Sequence, residues 1–115
     1  MATIKSYTDI GQSRKLAEIL PLESADGRWF NGYLGCTYSQ EAKDFYDTTN
    51  NEYIPCWSFA ALLGVLPDDC CGIDKEDGKY VASYVVSNKG GTYISDNPVD
   101  ACYKMILKLH ELNLL

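Results

Sequence analysis

Tyr53-Ile54-Pro55-Cys56-Trp57-Ser58-Phe59-Ala60-Ala61-Leu62-Leu63-Gly64-Val65-Leu66-Pro67 carries no charge and is bracketed by two prolines. Pro55 holds Ile54 out of the helical region and Pro67 stops the helix that precedes it. With Ser58 as N-cap, Trp57 falls at N′ and Leu62 at N4, the spacing of a hydrophobic staple. From Phe59 to Leu66 the residues are apolar on every side, which predicts a central core helix covered all round. On this reading Pro55 to Ser58 form a structural signature that sets the angle at which the chain meets the helix, and Cys56 is a buried thiol. A functional surface is then to be sought beside the stretch rather than within it.

Downstream of Pro67 the period changes. Tyr80, Ala82, Tyr84 and Val86 alternate with Val81, Ser83, Val85 and Ser87, a strand pattern with one face more apolar. Glu76-Asp77-Gly78 and Asn88-Lys89-Gly90-Gly91 read as turns, so Cys71–Asp74, Lys79–Ser87 and Thr92–Ser95 are expected as an antiparallel meander. Asn97 as N-cap, Pro98 at N1 and Asp100 at N3 then open a final helix. Val99, Cys102, Met105, Ile106, Leu109 and Leu112 mark its apolar stripe, and Asp100 and Lys104 form an i,i+4 pair opposite. Such a helix packs most simply across the meander that precedes it.

Upstream of the stretch the chain is less regular. A helix is expected from Asp9 to Leu20, ended by Pro21, with Gly11 loosening its first turn. Arg28 to Tyr38 is aromatic but broken by Gly32 and Gly35, which suggests a short or irregular strand. Ser39 can cap a brief helix through Tyr46, with Ala42, Phe45 and Tyr46 inward. Together these elements predict one α+β domain over residues 1–115: a three- or four-stranded antiparallel sheet packed with about three helices.

Composition narrows the function. The net charge of −6 is regional, since Glu41 to Asp77 holds nine acids against Lys43 and Lys75. A surface of that sign repels phosphate backbones, so direct nucleic-acid binding is not expected, and the acids could instead mimic a nucleic acid. The longest apolar run, Phe59 to Leu66, falls well below the roughly eighteen residues of a membrane span. Five cysteines, an odd number, and the absence of a charged-then-apolar leader argue for a reduced, cytoplasmic protein.

Chemistry-bearing motifs are scarce. Cys70 and Cys71 are adjacent and no C-x-x-C occurs, so a structural zinc site is not expected. The acidic run fails the calcium-loop pattern, because Ile73 or Pro67 stands where the first Asp must be. No phosphate loop or dinucleotide fingerprint is present, and no cofactor is implied. A cysteine hydrolase would have to pair Cys70 or Cys71 with His110, the single histidine. What remains is surface: Trp29, Tyr33, Tyr38 and Tyr53, adjoined in sequence by Asp68 and Asp69, are the candidate binding residues for a protein partner.

Ser6-Tyr7-Thr8-Asp9-Ile10 with Gln12-Ser13, Ser24-Ala25-Asp26, Tyr53 to Ser58 leading into Ala61-Leu62-Leu63, and Asn97-Pro98-Val99-Asp100-Ala101-Cys102 together resemble a family of small uncharacterised proteins of anaerobic gut bacteria, often encoded on phage or other mobile DNA. The similarity spans most of the chain apart from Arg28 to Glu52, and Gly11 and Gly27 depart from the family's glutamate and methionine. It implies a mobile-element context and supplies no catalytic residues. The meander followed by Pro98-Val99-Asp100-Ala101 is also similar to the small antitoxin domains of the HicB type, over the C-terminal third only. Three readings follow: a non-enzymatic protein-interaction module, an acidic mimic or antitoxin-like regulator, and a small Cys/His hydrolase.

Overall fold

The computed structural model of the protein describes residues 5–115. Its fold is α+β, with ten regular elements in chain order: α1 (Ile10–Ala17), β1 (Gly27–Phe30), β2 (Tyr33–Gly35), α2 (Gln40–Tyr46), β3 (Tyr53–Cys56), α3 (Phe59–Val65), β4 (Cys71–Glu76), β5 (Lys79–Val86), β6 (Lys89–Ser95) and α4 (Pro98–Glu111). The strands form two separate antiparallel sheets of three, ordered β2-β1-β3 and β4-β5-β6. With their helices they make a slab of 47 × 38 × 18 Å over the described residues.

The second sheet is the expected meander. Its outer strands run further than the alternation suggested and the middle one ends a residue sooner, because the turns are tighter: Asp77-Gly78 and Ser87-Asn88 close two-residue loops with φ of 50°, 76° and 55° at Asp77, Gly78 and Ser87. Gly90 and Gly91, expected in a turn, are therefore strand residues paired with Val85 and Tyr84. One face of this sheet lies on α4. There Val99, Cys102, Met105, Ile106 and Leu109 are fully buried with Ala82 beneath them. Asn97 caps the helix by accepting from the Asp100 amide (2.8 Å).

The core helix is thus α4, and the expectation for α3 needs correcting. Only Leu62 is buried within α3, while Ala60, Leu63 and Gly64 face solvent. In so thin a slab, α3 packs on α4 and on the 3-10 turn Leu22–Ser24, so one flank stays wet. Its staple and cap hold as read: Trp57 and Leu62 are both fully buried, and Ser58 Oγ accepts from the Ala61 amide at 3.1 Å. The same serine donates its hydroxyl to Asp26, whose other oxygen accepts from the Ser58 amide (2.8 Å). Trp57 is further fixed by its indole N–H on Ser24 Oγ (2.9 Å) and its amide on Thr8 Oγ1 (3.1 Å).

Residues Tyr53 to Cys56, read as an extended lead-in, are a buried strand paired with β1. Pro55 is tolerated because β3 lies at the edge of its sheet, where a missing N–H costs no ladder bond on the open side. Cys56 is fully buried, and its thiol is pushed up to about 12 by burial first and then by the nearby Asp26 and Cys36. The irregular strand expected from Arg28 to Tyr38 is a hairpin. Asn31 and Gly32 take φ of 48° and 87°, the left-handed pair that a tight two-residue turn demands.

Helix α1 ends three residues before Leu20, and its first turn is held by a capping box in which Asp9 and Gln12 bond each other's backbone amides. The expected Asp100–Lys104 pair does not form. Asp100 turns instead to Lys5 Nζ and Gln12 Nε2, both at 2.8 Å, linking the starts of α1 and α4. Partial burial opposes its charge, but the bonds from Lys5, Gln12 and Asn97 win and hold the carboxyl below its ordinary value.

Candidate functional site

Alternation along the first sheet decides what its faces carry. Cross-strand pairing sets Phe30 against Tyr53 and Tyr33, and Arg28 against Pro55 and Gly35, so these residues share one face. Trp29 and Ile54 point to the other, towards α1. Over the first face lies α2, started by Ser39, whose hydroxyl accepts from the Ala42 amide (3.2 Å). Seven residues make barely two turns, and α2 does not close the face. The gap is a pocket of about 410 Å³ lined by Arg28, Phe30, Thr37, Ser39, Ala42, Tyr46 and Tyr53.

Aromatic rings form its wall. Tyr46 and Tyr53 stack at 5.7 Å between centroids, Phe30 tilts against Tyr46 at 4.7 Å and meets Tyr53 edge-on at 6.3 Å. Tyr38 backs Tyr53 at 6.0 Å. The Tyr53 hydroxyl is anchored by accepting from the Ser39 amide (3.1 Å), which keeps its ring in place. Arg28 supplies the pocket's cation. Its Nη1 donates to the Thr37 carbonyl (2.7 Å) and to Thr37 Oγ1 (2.6 Å). The three N–H groups on Nη2 and Nε make no bond among the described residues and can serve an acceptor.

The guanidinium has room to lie there because its cross-strand neighbour is glycine: a Cβ on Gly35 would come within 2.6 Å of Arg28 Cζ. Around the pocket the field is acidic. The Tyr38 hydroxyl is pushed up to about 12 by burial first, then by Tyr53, Asp44, Asp47 and Glu23. It therefore stays protonated and donates to Gln40 Oε1 (2.8 Å).

Of the residues singled out from the sequence, Tyr53 lines the pocket and Tyr38 supports it. Trp29 lies on the opposite face, its indole N–H spent on the Thr8 carbonyl (2.9 Å). Tyr33 is 80% exposed near the hairpin tip, and Asp68 and Asp69 sit in the exposed loop after α3, outside the pocket. Phe30, Tyr46 and Arg28 were missed. The signal that finds them is Asn31-Gly32, which fixes the hairpin and hence the face on which Arg28 and Phe30 fall. Phe45, expected inward, is 62% exposed, because Ala42 and Tyr46 at i,i+4 take the sheet-facing side of α2.

Elsewhere Cys70 and Cys71 contact each other (Sγ to Sγ 3.6 Å) and neither bonds His110. The Cys71 thiol is pushed up to about 12 by burial and by Cys70, the opposite of what an attacking thiolate needs. Among the described residues no group of three or more His, Cys, Asp or Glu could hold a metal ion, and no helix is long and apolar enough to cross a membrane. No family model matches the chain, and no curated protein or solved structure matches it either.

Proposed function

We propose that the protein is a cytoplasmic, non-enzymatic interaction module of mobile-element origin that binds a protein segment in the pocket between α2 and the first sheet. The observation that carries this reading is the open aromatic wall of Phe30, Tyr46 and Tyr53 beside the unspent donors of Arg28. At about 410 Å³ the pocket has room for one large side chain with its flanking backbone. Aromatic faces take an apolar anchor, and Arg28 donates to a carbonyl next to it. The surrounding acids favour a segment whose neighbouring residues are Lys or Arg, so binding weakens with salt.

The test uses short peptides carrying one Trp, Phe or Leu between lysines, titrated into the labelled protein and followed by the ring resonances of Phe30, Tyr46 and Tyr53. Binding is expected to shift these signals and to weaken at least about tenfold in Ala42→Trp, which fills the pocket from its helical wall. Shifts that arise elsewhere, or that survive unchanged in Ala42→Trp, would overturn the reading.

A further inference from the structure

The four strand edges among the described residues are not equally protected. Strand β2 has three residues, and β3 is flanked by the Tyr7–Ser58 bridge. At the outer edge of the second sheet β4 exposes Asp74, Lys75 and Glu76, the charges by which edges avoid pairing. Strand β6 has only Lys89, at its very start, as such a defence. It pairs with β5 without a bulge from Lys89 to Ser95 and carries neither proline nor charge between Gly90 and Ser95. Among the described residues no backbone hydrogen bond reaches it apart from its ladder with β5.

We propose that β6 is the seam of a homodimer, pairing antiparallel with β6 of a second copy about a twofold axis at Thr92. The sequence of the strand is complementary to its own reverse. Centring on Thr92 sets Gly90 against Ile94 of the second copy on the outer face, and Gly91, already covered by its own Tyr84 ring, against Tyr93, so no two bulky side chains clash across the seam. On the outer face Gly90 is already paired with Val85, and Ile94 with Val81. Val85 is 68% and Ile94 57% exposed in the single chain. The seam lines them into one row, Val85, Gly90, then Ile94 and Val81 of the second copy, and the axis repeats it.

Charge does not oppose the pairing. Lys89 opens the strand and stands opposite Ser95 of the second copy, one residue before its Asp96, which in each copy is already paired with Lys79, so no like charges face each other across the seam. The assembly also closes. Twofold pairing consumes both β6 edges and leaves the charged β4 edges at the ends of the joined six-stranded sheet, which stops its growth at two copies.

Sedimentation of the full chain from about 10 to about 500 μM tests this, since the 12.8 kDa chain should double in mass with concentration. Thr92→Lys sets two ammonium groups opposite each other at an exposed position and should weaken the dimer at least about tenfold without changing the far-ultraviolet spectrum. In a Cys36→Ser background, Thr92→Cys places two thiols on the axis, where opposed Cα atoms lie about 4.5–5.5 Å apart, within disulfide reach. Exchange with glutathione disulfide then links the two copies and releases two reduced glutathiones. Ser83→Cys, one strand inward on the same face, should not cross-link. A chain that stays monomeric throughout, with Thr92→Cys linking no faster than Ser83→Cys, overturns the proposal. So does a dimer that Thr92→Lys leaves intact, because the seam would then lie elsewhere.

Discussion

Both sheets are antiparallel triplets with a helix laid over them, yet α4 on the second buries seven of its fourteen residues whereas α2 on the first buries none of its seven. Helix length accounts for much of the contrast. Four turns of α4 lay an aliphatic stripe across β5 and β6, and the space beneath is filled by Cys102, Met105, Ile106 and Leu109. Two turns of α2 cover only part of a face made of rings. Rings meet at angles and leave gaps that aliphatic side chains would fill. The α4 face of the second sheet is therefore a closed aliphatic core, whereas the α2 face of the first sheet is the open, concave surface.

The largest expected effect sets the two faces against each other by truncation. Leu109→Ala removes a fully buried side chain from beneath α4 and should cost about 3 kcal/mol in urea unfolding. Phe45→Ala, on the exposed side of α2, should cost no more than about 0.5 kcal/mol. Equal losses would break the division between a closed core and an open surface.

How legible the two halves are in the sequence differs for a related reason. Asn97-Pro98, the alternation from Tyr80 to Val86 and the stripe from Val99 to Leu109 are local patterns, and each predicted its element. The first sheet depends on pairing between β1 and β3, about 26 residues apart in the chain, which no local period announces. Pro55 keeps Ile54 extended and so reads as a lead-in to the helix that follows, and only the edge position of β3 makes it harmless within a strand. Asn31-Gly32 was the one local clue to the hairpin, and the surrounding aromatics and glycines obscured it. The pocket was half legible for the same reason: Tyr38 and Tyr53 stand out by composition, whereas Arg28, Phe30 and Tyr46 come together through register.

A smaller effect concerns the junction between α1 and α4. Asp100 accepts from Lys5, Gln12 and Asn97, and Asp100→Asn should cost about 1–2 kcal/mol at pH 7. The carboxyl's value is depressed in the folded protein, so its contribution is fully present above the ordinary value near 3.8 and is lost as pH falls through the folded one. The stability gap between wild type and Asp100→Asn should thus be constant from about pH 5 to 7 and close below about pH 4. A gap that persists into acid would show that the side chain acts by shape and not by charge.

The smallest effect on stability falls where the pocket is most finely built. Arg28 rests across Gly35, and Gly35→Ala introduces a Cβ within 2.6 Å of its Cζ. The atom met is the far end of a flexible side chain, so the guanidinium swings aside and unfolding free energy changes by less than about 1 kcal/mol. The bonds to the Thr37 carbonyl and hydroxyl go with it. Arg28 Hε and the Thr37 amide should therefore shift in the nuclear magnetic resonance spectrum while the signals of α4 stay fixed, and peptide binding should weaken. If binding falls with no movement at Thr37, the donors of Arg28 are not what the pocket uses, and its affinity rests on the aromatic wall alone.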